Sequence, residues 1–125
     1  MNVVDSSGWL EYFADGPNAE FFADSIENLD ELIVPAISLY EVFKRVLQQK
    51  GESQALEAVA IMMQATVVSI DSKIALHAAR LSDSLKIPMA DSLILATARE
   101  YQATLWTQDS DFESLPDVNY ITKKP

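Results

Sequence analysis

The chain has no cysteine, a single histidine and only nine basic residues among its 125. The lack of cysteine excludes disulfides, zinc–thiolate sites and thiol nucleophiles, and it fits a reducing compartment. The N-terminus lacks the pattern of a signal peptide, and no apolar run approaches membrane-spanning length. We therefore expect a cytoplasmic protein that does not engage a membrane.

The shortage of basic residues leaves the chain strongly acidic. Nineteen acidic residues give a net charge of −10 and a pI near 4.3. A field of this sign repels nucleic acid and anionic membranes, and it attracts metal cations or a basic protein partner. Apolar residues make up 49% of the chain and charged residues 22%, which is typical of a globular protein. We expect one domain that spans residues 1–125.

Short runs of β-branched residues alternate with segments of helical periodicity along the chain. The predicted strands cover residues 2–5, 31–37, 66–70, 103–107 and 118–122, and Pro35 indicates that the second strand ends or frays there. The predicted helices cover residues 7–13, 19–29, 38–50, 53–63 and 73–85, and a sixth begins near residue 91. This alternation predicts an α/β fold of three layers, α/β/α, with a central, mostly parallel sheet of about five strands.

Acidic residues fall at the joints between these predicted elements. Four of them stand at the end of a strand or the start of a helix: Asp5, Glu41, Asp91 and Asp109. These joints share one edge of a parallel sheet, where α/β proteins bind their ligands. If the carboxylates converge to about 5 Å, each ionised pair costs roughly 3 kcal/mol at an effective dielectric constant of ~20. Protonation or a divalent cation would relieve that repulsion, and oxygen ligands alone suit Mg²⁺ or Mn²⁺.

Each acid also has a simpler structural explanation. Asp5 could cap the first helix. Glu41 could close a capping box that begins at Ser38. Asp91 could be a first-turn acid that the helix dipole favours, while Asp109 and the nearby Asp111 could be turn residues. None of these explanations accounts for the acids sharing one edge of the sheet, so we favour a common site.

Four stretches resemble the PIN-domain ribonucleases, in particular the small VapC-type toxins of bacterial and archaeal toxin–antitoxin pairs. They are VVDSS at residues 3–7, ISLYEV at 37–42, ADSLILATA at 90–98 and LWTQDSDF at 105–112. The last two stretches are the more specific, and together the four span nearly the whole chain in order. The resemblance implies a PIN-like fold and a divalent-metal-dependent endoribonuclease that hydrolyses RNA phosphodiester bonds.

The resemblance also implies roles for individual residues. The catalytic and metal-binding acids would be Asp5, Glu41, Asp91 and Asp109, with Asp111 as a further metal-binding acid and Mg²⁺ or Mn²⁺ as the cofactor. Ser6 and Thr107 would orient these ligands. The implied partners are an RNA substrate, a cognate basic antitoxin and a second copy of the chain in a homodimer.

Two rival functions remain open at this stage. The chain could be an acidic binding module that accepts a basic peptide without catalysis. It could instead be a phosphotransferase that forms an aspartyl-phosphate on Asp5, because such nucleophiles also follow a strand. Haloacid-dehalogenase-like phosphatases place a second aspartate two residues after the nucleophile, and here Ser7 stands at that position.

Several other residues have less specific predictions. Asp71 follows a predicted strand but opens a helix, so we interpret it as a helix cap. His77 is predicted to be a packed or surface residue rather than a base, and Trp9 and Trp106 are predicted to be core residues beside the site. Four cations lie near the acids in sequence and could contact the phosphate backbone: Lys44, Arg45, Lys86 and Arg99.

Overall fold

The computed structural model describes residues 1–125, which form five short strands and six helices. The strands are β1 (Asn2–Val4), β2 (Leu32–Pro35), β3 (Thr66–Val68), β4 (Thr104–Thr107) and β5 (Val118–Tyr120). The helices are α1 (Ser6–Phe13), α2 (Ala19–Glu27), α3 (Ala36–Lys50), α4 (Glu52–Met62), α5 (Ser72–Leu85) and α6 (Met89–Glu100). Two short 3₁₀ turns lie at Leu29–Glu31 and Ser110–Phe112.

The five strands form one sheet in the order β3-β2-β1-β4-β5, and all four pairings are parallel. The chain extends the sheet from β1 to β2 and β3 on one side, and then returns to add β4 and β5 on the other. The gap between β1 and β4 is therefore the point at which the strand order reverses, and ligands of open α/β sheets bind outside the carboxyl ends of such strands. Val4 pairs with Trp106 at this point, so Asp5 follows β1 where Thr107 ends β4.

Apolar side chains cover both faces of the sheet. Neighbouring residues of a strand point to opposite faces, so Val3 and Ile33 join one core while Val4 and Val34 join the other. The first core contains residues of α5 and α6, and the second contains residues of α1, α2, α3 and α4. A parallel sheet needs this cover because its strands are apolar on both faces. The predicted three-layer α/β/α fold with five strands is confirmed.

The junction of β2 and α3 lies at Pro35. The strand was expected to end or fray at Pro35 within the predicted range 31–37, and β2 does end at Pro35. The helix was predicted to begin at Ser38, but Pro35 is the N-cap and α3 begins at Ala36. Proline fixes a backbone angle that suits the entrance of a helix, and it cannot donate to a neighbouring strand. The other predicted ends differ by one or two residues, which is within the fraying of short elements.

Gly8 brings the first turn of α1 close to the sheet and to α2. A Cβ atom at this position would lie 2.7 Å from both Val4 Cγ1 and Phe22 Cε1. No larger side chain fits without displacing one of these buried neighbours, so Gly8 holds the start of α1, next to Asp5, against the end of β1.

No helix of the structure has the length and apolar character needed to cross a membrane.

Candidate active site

Asp5 lies at the end of β1 and is only 2% exposed. Its Oδ1 atom accepts hydrogen bonds from the Ser7 hydroxyl at 2.7 Å and from the Gly8 amide at 3.0 Å, and its Oδ2 atom accepts one from the Thr107 hydroxyl at 2.7 Å. The bond from Gly8 makes Asp5 the N-cap of α1. Asp5 thus has the simpler role considered from the sequence, and it also lies at the reversal point of the sheet.

Glu41 does not close a capping box, because Ser38 already lies inside α3. The Ser38 hydroxyl is buried without a hydrogen-bond partner, and Glu41 Oε1 instead accepts a hydrogen bond of 2.7 Å from the Ser6 hydroxyl. The capping-box interpretation was wrong because α3 begins at Ala36, after its N-cap Pro35, which is two residues before the predicted start. Glu41 therefore faces the start of α1, next to Asp5, and Ser6 holds it there.

Asp91 lies in the first turn of α6, which begins after its N-cap Pro88. The side chain is half-buried, and the hydrogen-bond network of the site does not include it. Its position near the positive end of a helix favours an ionised carboxylate, as the simpler interpretation proposed. The neighbouring acids have the opposite effect, as described below.

Asp109 and Asp111 follow β4 in a tight turn. The amide of Asp109 donates a hydrogen bond of 2.9 Å to the Thr107 hydroxyl, and the amide of Asp111 donates one of 2.9 Å to Asp109 Oδ1. Carboxylate oxygens of Asp91, Asp109 and Asp111 all lie within 4.8 Å of one another. The structure thus brings together three of the predicted acids from two distant stretches, with Asp5 and Glu41 beside them but outside this tight group.

The proximity of these acids changes their pKa values. Burial raises the pKa of Asp5 to about 6, although the hydrogen bonds from Thr107, Ser7 and Gly8 oppose the change. Burial also raises the pKa of Asp91 to about 7, and the negative charges of four other acids add to the increase, in the order Asp109, Asp5, Asp111, Glu41. The negative charges of all four other predicted acids thus act on the Asp91 carboxyl group.

The acids open onto a cleft of about 470 Å³. Its lining includes Asp5, Glu41, Asp91 and Asp109 together with Ser6, Ser7, Leu10, Tyr40, Lys44, Arg45 and Gln48. Of the four cations predicted to contact phosphate, the structure places Lys44 and Arg45 in the cleft. Lys86 and Arg99 are not part of its lining, and Lys86 lies 3.8 Å from Asp83 instead. Lys86 is the C-cap of α5, and Arg99 lies in the last turn of α6 while Asp91 lies in its first turn, so proximity in sequence did not place either cation in the cleft.

The remaining predictions agree with the structure. Asp71 caps α5 by accepting a hydrogen bond of 2.9 Å from the Ile74 amide. His77 on α5 pairs with Glu100 on α6 at 2.9 Å, and neither residue is part of the lining of the cleft. Trp9 is fully buried in the second core, and Trp106 packs at its margin with its indole N–H bonded to Asn2.

Three polar residues of the site were not predicted: Ser7, Asn18 and Gln108. Ser7 donates to Asp5, and Asn18 and Gln108 form a buried pair behind the acids. For Ser7 and Gln108 the sequence gave only a weak signal, namely that each is a polar residue next to a predicted site residue. Asn18 had none, because it lies in a loop whose sequence predicts only a turn.

A chain with this sheet order, and with acids gathered at the point where the order reverses, can be compared with known proteins. It matches the sequence profile of the PIN domain over residues 3–118. The chain therefore belongs to the PIN-domain family. It is also 32% identical over 97 residues to Ribonuclease VapC4 of Mycobacterium tuberculosis, and the match covers 71% of this chain and 75% of that protein.

Solved structures share the same fold. A toxin–antitoxin complex from Klebsiella pneumoniae contains a chain with a TM-score of 0.79 at 21% identity, covering 95% of this chain and 96% of that one. VapC20 of Mycobacterium tuberculosis, described as a sarcin-ricin loop cleaving toxin, gives a TM-score of 0.74 at 17% identity and covers 91% of this chain and 94% of its own. At these low sequence identities, the structural similarity establishes the fold alone. The resemblance to VapC-type PIN-domain ribonucleases that the sequence indicated is confirmed.

Proposed function

We propose that the chain is a divalent-metal-dependent endoribonuclease and the toxin of a toxin–antitoxin pair. Its catalytic and metal-binding acids are Asp5, Glu41, Asp91 and Asp109, with Asp111 as a further metal-binding acid. The observation that carries the proposal is the group of three carboxylates within 4.8 Å at the reversal point of the sheet, in a chain that matches the PIN domain. Ribonuclease VapC4 supports the choice of RNA as substrate.

The donor set of the cleft fits a hard divalent cation. Its metal-binding atoms are carboxylate oxygens, and the one histidine of the chain pairs with Glu100 on α5. Oxygen ligands without imidazole or thiolate favour Mg²⁺ or Mn²⁺ over zinc. A cation would also relieve the repulsion that raises the pKa of Asp91.

The side chains of the site have separate tasks in this proposal. A bound Mg²⁺ or Mn²⁺ would lower the pKa of a water molecule and stabilise negative charge on the phosphate oxygens. The acids hold the cation. One of them, such as Asp91, which accepts no hydrogen bond within the site, can also accept a proton. Thr107 and Ser6 fix the orientation of Asp5 and Glu41 through their hydroxyl groups.

Lys44 and Arg45 are the cations that can hold the RNA backbone beside the acids. Both line the cleft, and neither forms an ion pair with an acidic side chain. Lys44 Nζ lies 5.7 Å from the centre of the ring of Tyr40, which also lines the cleft. A net charge of −10 opposes RNA binding at long range, so these two cations supply local attraction.

Cleavage of structured RNAs by the purified chain tests the proposal. We expect cleavage with Mg²⁺ or Mn²⁺, none with EDTA, and none in Asp91→Asn. Asp71→Asn is the matched control, because Asp71 is also an aspartate at the start of a helix but only caps α5. Cleavage that persists in EDTA, or that Asp91→Asn leaves intact, would reject the metal-dependent site.

The proposed antitoxin is a basic protein whose flexible segment enters the cleft and places a cation among the acids. The crowded carboxylates of the cleft supply the complementary charge. Co-expression with the neighbouring small open reading frame should give a salt-sensitive complex with suppressed cleavage. A partner that binds equally well after reversal of its basic charges would contradict this mode of inhibition. The proposed homodimer is checked separately, by the mass of the isolated chain in light scattering.

The two rival functions are not favoured. An aspartyl-phosphate on Asp5 lacks the second aspartate that haloacid-dehalogenase-like phosphatases place two residues after the nucleophile, because Ser7 stands at that position and donates a hydrogen bond to Asp5. A binding module without catalysis does not account for the family match over residues 3–118.

A further inference from the structure

Gln108 lies between two site residues in the sequence, and it is buried. It follows Thr107, which bonds to Asp5, and precedes Asp109, yet the hydrogen bonds of its own side chain go to Asn18 and Ser7. Successive side chains of an extended segment point to opposite sides, so Gln108 points away from the cleft, towards the loop between α1 and α2. It is only 5% exposed there.

The side chain of Gln108 is hydrogen-bonded to a second buried side-chain amide, that of Asn18. Asn18, 1% exposed, uses its Nδ2 atom to donate hydrogen bonds of 3.0 Å to Gln108 Oε1 and of 3.1 Å to the carbonyl oxygen of Thr122. Gln108 Nε2 in turn donates to the carbonyl oxygen of Ser7 at 3.4 Å. The Glu11 carboxylate also fixes the loop, because its Oε2 atom accepts a hydrogen bond of 2.7 Å from the backbone N–H of Asn18.

These bonds connect the two strand ends that carry the acids. Ser7 follows Asp5 by two positions and bonds to its carboxylate, so the end of β1 is held at one side of the amide pair. Gln108 adjoins Asp109, so the end of β4 is held at the other side. Asn18 lies behind both and ties them to the segment that follows β5.

The hydrogen bonds of the pair leave one of its polar atoms unpaired. Asn18 Oδ1 is buried without a hydrogen-bond partner, and an unpaired buried acceptor is unfavourable. Apolar side chains in their place would leave the carbonyl oxygens of Ser7 and Thr122 without these donors. Directional hydrogen bonds, in contrast to apolar contacts, fix the separation and orientation of the groups that they join.

We propose that Asn18 and Gln108 are positioning residues that hold the ends of β1 and β4 at the separation at which Asp5 and Asp109 serve one bound cation. This inference rests on the proposed metal-dependent function. It predicts that the pair acts on metal affinity, although neither amide touches the cleft acids. Partners that orient metal ligands typically change metal affinity by about 10- to 100-fold.

The test is a double-mutant cycle with Gln108→Met, Asn18→Ser and the double variant, using isothermal titration with Mn²⁺ and metal-free thermal melts of the full chain. We expect each single variant to bind Mn²⁺ about 10-fold or more weakly. The double variant should be little worse than either, because the two amides act as one unit. Asn18→Ser is the milder change and remains informative if Gln108→Met does not fold.

The matched control is Thr97→Val, which removes a buried hydroxyl of α6 that bonds to the Leu93 carbonyl. It should lower the melting temperature and leave Mn²⁺ affinity at the wild-type value. If Gln108→Met and Asn18→Ser behave like this control, the amide pair is only structural and the inference is wrong. Failure of the wild-type chain itself to bind Mn²⁺ would instead reject the proposed function, and the inference with it.

Discussion

Thr107 and Asp5 lie 102 positions apart, and the Thr107 hydroxyl donates a hydrogen bond of 2.7 Å to Asp5 Oδ2. The same hydroxyl oxygen accepts a hydrogen bond of 2.9 Å from the amide of Asp109. One threonine thus fixes an acid at the end of β1 and the backbone of another acid beyond β4. This pairing depends on the adjacency of the two strands, which the register of Val4 with Trp106 sets.

Thr107→Val tests this link while preserving the shape of the side chain. We expect the free energy of unfolding to fall by about 1–3 kcal/mol, because a buried carboxylate loses a hydrogen-bond donor. Mn²⁺ affinity should fall by roughly 10-fold or more, as for other groups that orient a metal ligand. Chemical denaturation and calorimetric titration measure the two effects. Unchanged Mn²⁺ affinity would show that Thr107 only stabilises the fold.

Asp91→Asn should stabilise the metal-free protein or leave its stability unchanged. Burial and four neighbouring acids raise the pKa of Asp91 to about 7, so its ionised form is unfavourable in the folded state at higher pH. An amide of the same shape removes that repulsion. Melting in EDTA at pH 8 measures the effect, with Asp71→Asn as the matched control. A large loss of stability in Asp91→Asn alone would show that this carboxylate stabilises the fold.

The stability of the metal-free protein should fall as pH rises from about 5 to 7. The pKa values of Asp5 and Asp91 rise from the ordinary 3.8 to about 6 and about 7, so the folded state binds more protons than the unfolded state across this window. Their contribution is complete below the ordinary value and is lost as pH passes the folded values. Urea denaturation in EDTA at several pH values measures the slope. A free energy of unfolding that rises with pH would contradict the prediction.

Divalent metal should raise the melting temperature of the wild-type chain. A cation that binds only the folded acids stabilises the protein by about 2.7 kcal/mol at a hundred times its dissociation constant. Differential scanning calorimetry with millimolar Mn²⁺ or Mg²⁺ measures the shift, which should vanish in Asp91→Asn. A melting temperature that is indifferent to both ions would mean that the acids do not form a metal site.

Arg45→Ala should weaken RNA binding more than it slows the chemical step. Arg45 lines the cleft beside the acids without an ionic partner, so we expect KM to rise with little change in kcat. The slope of log affinity against log salt should fall by about 0.7 for the loss of one contact with single-stranded RNA. Arg80→Ala is the control, because Arg80 is exposed on α5 outside the cleft. Equal effects of the two substitutions would show that only net charge matters.

The sequence was informative about this site because its acids lie at local boundaries of structure. Asp5 and Asp109 each follow an apolar strand, and Asp91 opens an apolar helix, so the pattern alone predicted that they share an edge. For Glu41 only the simpler alternative was wrong, because α3 begins at Ala36 and Ser38 lies inside the helix rather than at its cap. Local reasoning failed for Lys86 and Arg99, because sequence proximity does not fix the direction of a side chain.

The order of the elements and the alternation of apolar residues determined, from the sequence by itself, a three-layer fold and the edge at which the acids gather. These features depend on local periodicity, which each segment carries independently of the others. Only the tertiary structure decided which acids come within 4.8 Å, that Ser6 holds Glu41, and that Asn18 meets Gln108 across 90 positions. Such contacts depend on strand register and on the packing of helices against the sheet, and no single segment encodes either of them.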